Sequence, residues 1–261
     1  MKKFLYLIIP ALFSLISFLI IGKHEMWRDE IQAWLLVRDS ADIFSLSQNL
    51  KYEGHPGLWH YLLFPITRIF NDPFYMQVLN LIISTCSIFI LFRWSPFNNT
   101  QKILLTFSYF LFYEYTVIAR SYSLSVLLLF LFCTLFENRK KNIIKISIIL
   151  FLLSHTSIFG IFISLCLYLT IISEKIIEVL FQRQSLKIFF RKSFLFSLSI
   201  FLMGLFTSIL QILPPTDGTF ANSKIYFPNT NKIFSVAKSS IQSYFPLPNL
   251  KINFWGSSFA E

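Results

Sequence analysis

The sequence predicts an all-α, polytopic membrane bundle of about seven spans, with interfacial helices in the first outer loop. Three observations carry this. Of 261 residues, 55% are hydrophobic and only 14% charged, whereas soluble domains run at about 25% charged. Uncharged or nearly uncharged runs, many of about the 20 residues needed to cross a hydrocarbon core, recur between residues 4 and 213. Basic residues flank these runs unevenly, as orientation across a bilayer requires. Disorder and an ordinary soluble domain are both excluded.

The elements follow in order. Lys2 and Lys3 precede the run from Phe4 to Ile21, which reads as an uncleaved anchor: a signal peptide has a shorter apolar region and an A-x-A-like site. The next runs are Phe74 to Phe92, Ile103 to Ile118, Ser121 to Phe136, and Ser193 to Leu213. Between the last two, Ile146 to Ile172 carries no Lys, Arg, Asp or Glu and has basic residues on both flanks. That pattern predicts a hairpin of two spans turning near Ser157 to Gly160. The membrane-embedded region is then 1–213, and 214–261 is an extracytoplasmic tail or incomplete C-terminal region.

This arrangement puts thirteen of the 23 basic residues inside, with the amino terminus cytoplasmic, in a multi-pass protein of the plasma (inner) membrane. The net charge of +10 is thereby explained by topology, without a nucleic-acid partner. Cys86, Cys133 and Cys166 all lie inside apolar runs and read as buried thiols, neither disulfide nor metal ligands.

Seven of the thirteen acidic residues and three of the four histidines fall between Lys23 and Pro73, the first outer loop. Within it, Ile31, Trp34, Leu35 and Arg38 follow i, i+3, i+4, i+7 spacing, which predicts an interfacial helix. Asp42 is placed to cap a second short helix. Leu58 to Phe70, interrupted by Pro65 and Arg68, is too short to cross alone and reads as a helix in the outer leaflet.

Several residues here have two readings. Asp29, beside Glu30, Trp27 and Arg28, is either a general base whose pKa a membrane surface raises, or a helix cap paired with Gln32. His55 and His60 either orient a substrate phosphate or bind a metal with His24 and Glu25, although no zinc spacing is present. Arg120 suits a lipid phosphate, or snorkels to headgroups, or pairs with Glu114. Glu114 is an ionisable group inside a span, which defaults to a functional role. His155 is either functional or a satisfied structural histidine. No Gly-rich nucleotide cradle occurs.

Trp27-Arg28-Asp29-Glu30-Ile31-Gln32-Ala33-Trp34, then Glu53-Gly54-His55-Pro56-Gly57-Leu58-Trp59, then Ala119-Arg120-Ser121-Tyr122-Ser123-Leu124, then His155-Thr156 together resemble the ordered signature of integral-membrane C-superfamily glycosyltransferases. The closer resemblance is to the protein mannosyltransferase and aminoarabinose transferase branch, family 39, over roughly residues 1 to 173. The family usually has Pro where Gly57 stands, and its chains are usually longer, so the expectation includes a chain shortened at its C-terminal side.

The resemblance implies a polyprenyl-phosphate-linked sugar as donor, a glycan, lipid or protein as acceptor, and inversion at the anomeric carbon. It implies Asp29 as the base, Glu30 supporting its orientation, and Arg120, His55 and His155 holding the phosphate. Trp27, Arg28, His60, Glu114 and Tyr122 complete the candidate substrate-binding set. It requires neither metal nor cofactor. A transporter with a polar path at Glu114, Arg120 and His155, and an inactive scaffold, are the competing readings.

Overall fold

The computed structural model describes residues 4–181 and 191–213. The expected tail, 214–261, lies outside the described residues, as do Lys2 and Lys3. Every regular element among the described residues is helical. Leu5–Ile21 (α1) leads into a cap of short helices: Arg28–Asp39 (α2), Ile43–Asn49 (α3) and Leu58–Ile69 (α4). Phe74–Trp94 (α5) and Asn99–Thr106 (α6) follow, then Tyr122–Phe136 (α7), Arg139–Ser154 (α8), Ile158–Phe181 (α9) and Lys192–Ile212 (α10).

Three of these helices, α5, α9 and α10, are long and apolar enough to cross a membrane, and α1 and α7 are shorter apolar helices. The bundle is a row. α5 packs between α1 and α7, α7 in turn packs on α8, and α8 carries α9 and α10. Many large apolar side chains of the outer helices face outward, among them Leu15 and Leu19 on α1, Phe162 and Leu169 on α9, and Phe196 and Phe206 on α10. A surface of that kind is unfavourable in water and matched to lipid.

Where lipid removes the hydrophobic drive between helices, close packing and interhelical hydrogen bonds hold them. Both are present here. Ser197 on α10 bonds Ser147 on α8 at 2.6 Å and Tyr168 on α9 at 3.1 Å, and the Tyr168 ring stacks on Phe201 at 4.0 Å. Gly204 lets α10 approach α8 so closely that a Cβ there would stand 3.0 Å from the Phe151 Cα.

The expected span from Ile103 to Ile118 is not a continuous helix. α6 ends at Thr106, a π-helical turn covers Tyr109–Glu114, and the chain then folds back to Arg120. The cause lies on α5. Asn80 Nδ2 donates to the carbonyls of Tyr115, Thr116 and Ile118 at 3.1, 2.9 and 3.3 Å, and Ser84 Oγ donates to Tyr115 at 3.1 Å. These side chains satisfy the carbonyls that a helix would have used internally, so buried irregular backbone is tolerated here.

Three smaller expectations also change. The cysteines are exposed on the outer helix faces, because an apolar run in a bundle of this kind has a lipid-facing side as well as a core side. The buried stripe of α2 is Glu30, Ala33, Trp34 and Val37, one residue out of step with the expected one. The hairpin turn falls at His155 to Ser157, and Gly160 is already inside α9. By contrast α4 runs through Pro65 to Ile69, and Asp42 caps α3 as expected, accepting from the Ser45 N–H at 2.7 Å.

Candidate functional site

The cap helices and the α8–α9 turn enclose a cavity of about 240 Å³. Its walls come from four places in the chain. α2 contributes Asp29, Gln32 and Ala33, on one face at i, i+3, i+4. The α3–α4 connection and the start of α4 contribute Glu53, His55, Trp59 and His60. The folded-back segment supplies Arg120 and Tyr122, and the α8–α9 turn supplies Thr156 and Ser157.

Asp29 and Arg120 meet across this cavity, with Nη2 and Oδ2 3.4 Å apart. The guanidinium also lies 5.2 Å from the centre of the Tyr122 ring, a position that uses its planar face. Asp29 is 60% exposed and Arg120 31%, so the pair is open to a ligand. Gln32 Nε2 donates to Glu53 Oε1 at 2.9 Å, pinning α2 to the loop that carries His55.

Glu30 stands behind the cavity and is fully buried. Its Oε1 accepts from the Ala119 N–H at 2.7 Å, and its Oε2 accepts from the Trp27 N–H at 2.8 Å and bonds His24 Nε2 at 3.0 Å. One carboxylate thus fixes the start of α2 against the residue preceding Arg120. The helix begins after Trp27, so Asp29 is inside its first turn and does not act as the cap. Glu30, at the third helical position, reaches back to the cap residue's amide instead.

His60 is 7% exposed, and the described residues offer neither ring nitrogen a hydrogen-bond partner. Burial, with a smaller contribution from the charge of His55, holds its imidazole down to about 4. It is therefore neutral near pH 7.

The remaining expected residues are placed elsewhere. His155 is buried with both ring nitrogens engaged, Nδ1 with the Phe151 carbonyl at 2.8 Å and Nε2 with Thr207 Oγ1 at 2.9 Å. Its carbonyl accepts from the Leu58 N–H at 3.1 Å, anchoring the start of α4. Both ring nitrogens are thus engaged within the bundle, and His155 is not among the cavity-lining residues. Glu114 accepts from the Tyr109 hydroxyl at 3.1 Å, away from Arg120's carboxylate partner. Trp27 and Arg28 are exposed and do not line the cavity.

Sequence reasoning did not single out Gln32, Glu53 and Trp59 as cavity residues, or Asn80 as the organiser of the Arg120 segment. Gln32 was findable from its position one turn after Asp29. Asn80 was not, because its carbonyl partners lie more than thirty residues away in the chain. No group of three or more His, Cys, Asp or Glu side chains among the described residues is arranged to hold a metal ion.

A scan of family models, a search of curated proteins and a search of solved structures return no match to this chain. The functional reading therefore rests on the motifs and on the geometry of the cavity.

Proposed function

We propose that the protein is an integral-membrane glycosyltransferase that moves a sugar from a polyprenyl phosphate to an acceptor hydroxyl of a glycan, lipid or protein at the outer face of the membrane. The observation that carries the reading is the 3.4 Å approach of Asp29 to Arg120 over one cavity. A base and an anion-stabilising cation are the two charges that such a displacement needs. In the resting site each holds the other in place.

In this reading Asp29 Oδ2 takes the proton of the acceptor hydroxyl as its oxygen bonds to the anomeric carbon. The bond from that carbon to the phosphate oxygen breaks, and the electron pair leaves with the polyprenyl phosphate. Arg120 and His55 take up the growing phosphate charge. The configuration at the anomeric carbon inverts because attack is opposite to departure. Glu30 acts as a positioning residue, through Trp27 and Ala119, and Tyr122 steadies the guanidinium. Seven crossings, with α6 and the π turn forming one broken crossing and the amino terminus inside, bring the cavity to the outer leaflet, where a lipid-borne donor arrives laterally.

The test is incorporation of labelled sugar into envelope material in cells carrying wild type, Asp29→Asn or Arg120→Ala at matched membrane abundance. Asp29→Asn should lower incorporation by roughly 10²–10⁴-fold, the range for losing a general base, and Arg120→Ala by roughly 10²-fold or more. Equal incorporation by all three removes the assignment.

A further inference from the structure

Two neighbouring side chains at the start of α4, both lining this cavity, carry buried polar atoms without a partner among the described residues. His60 presents two ring nitrogens and Trp59 an indole Nε1, all buried and none with a partner among the described residues. The large majority of buried side-chain polar atoms are hydrogen-bonded, and leaving one unpaired is costly. Three such atoms, on two side chains of a site that also holds the Asp29–Arg120 pair, point to a ligand that pairs with them.

Their chemistry is specific. The imidazole is neutral near pH 7, so it offers one N–H donor and one lone-pair acceptor, and the indole adds a second donor. A phosphate without acidic protons accepts only and leaves the imidazole acceptor unpaired. Adjacent hydroxyls of a pyranose ring both donate and accept, and so match all three atoms. The charged partner for phosphate, Arg120, comes from a different wall.

We propose that His60 and Trp59 form a sugar-hydroxyl subsite that reads the pyranose ring of the donor, while Arg120 holds its phosphate; this rests on the lipid-phosphate-sugar reading above. Sugar recognition and phosphate recognition then reside on separate elements, α4 and the Arg120 segment, and are separable by mutation.

The experiment is calorimetric titration of the purified full-length chain with farnesyl phosphate and with farnesyl phosphoryl-mannose, -glucose and -galactose. Wild type should bind at least one phosphoryl-hexose roughly tenfold more tightly than farnesyl phosphate, the scale of two neutral hydrogen bonds. His60→Leu should bring that ratio to about one with farnesyl phosphate affinity unchanged, and Trp59→Phe should lower it in part. Arg120→Ala should weaken all four ligands together. His60→Leu should also unfold at a higher temperature than wild type, because it removes unpaired buried atoms. A wild-type ratio of one for every hexose, or a His60→Leu ratio equal to wild type, overturns the subsite while farnesyl phosphate binding still supports the phosphate site. Absence of binding to all four ligands overturns the lipid-phosphate reading itself, and the subsite with it. If His60→Leu loses every ligand, His60→Gln, which keeps a donor and an acceptor, decides: a retained ratio supports the subsite and a ratio of one overturns it.

Discussion

At the scale of single residues, Glu30 and His60 make opposite contributions to stability. Glu30 satisfies two backbone donors and His24 with one carboxylate. Truncating it in Glu30→Ala leaves the Trp27 and Ala119 amides unpaired beside a void, and should cost about 3 kcal/mol. Glu30→Gln should cost less, since its amide retains one acceptor oxygen. Thermal unfolding in detergent measures both, and an unchanged melting temperature for Glu30→Ala would dismiss the clamp. His60 has its imidazole held at about 4 against an ordinary value near 6.5. The unfolded chain thus binds a proton in this interval that the folded chain refuses. Stability is complete above about pH 6.5 and declines as pH falls toward 4, by at most about 3 kcal/mol. A plot of melting temperature against pH should show that decline in wild type and a shallower one in His60→Leu. The sequence marked Glu30 within a motif and His60 as a candidate directly after one, yet only three-dimensional burial separates a satisfied carboxylate from an unsatisfied imidazole.

At the scale of elements, the apolar runs located α1, α5, α7 and α10 to within two residues at each end, because hydropathy reports depth and helices are the cheapest backbone at depth. The same logic failed between Ile103 and Ile118, where depth is apolar but Asn80 captures three carbonyls from a neighbouring helix. Asn80→Leu should therefore release the fold-back and move Arg120 away from Asp29. The expected outcome is loss of sugar transfer of roughly the same size as Arg120→Ala, with a lower melting temperature, which Arg120→Ala should not show. Close approach of elements sets a second prediction. A Cβ at Gly160 would run into the Leu153 carbonyl oxygen and the Thr156 hydroxyl. Gly160→Ala should accordingly destabilise by about 1–3 kcal/mol and disturb the turn that contributes Thr156 to the cavity.

At the scale of the whole molecule, orientation is the property that charge distribution predicts and that labelling decides. A cysteine introduced at position 29 in a Cys86, Cys133 and Cys166 replacement background should react with an impermeant maleimide added outside intact cells. One at position 140 should react only after the membrane is opened. The reverse pattern overturns the inside placement of the amino terminus. In the unmodified protein the three thiols lie on outward helix faces, so a lipid-soluble maleimide should label them while an impermeant one does not. Membrane placement was legible because it depends on summed hydrophobicity, whereas the cavity depends on which turn meets which helix.

The bond between the Gly57 amide and Gln211 Oε1, at 2.9 Å, joins positions 154 residues apart. In a newly made chain the segment bearing His55 waits until α10 has left the ribosome before that tether closes. At 5–20 residues per second the delay is roughly 8–30 s. Nascent chains arrested before residue 211 should therefore leave the Gly57 region open to protease, and chains released beyond it should not. Gln211→Leu, which deletes the acceptor, would make that immaturity permanent.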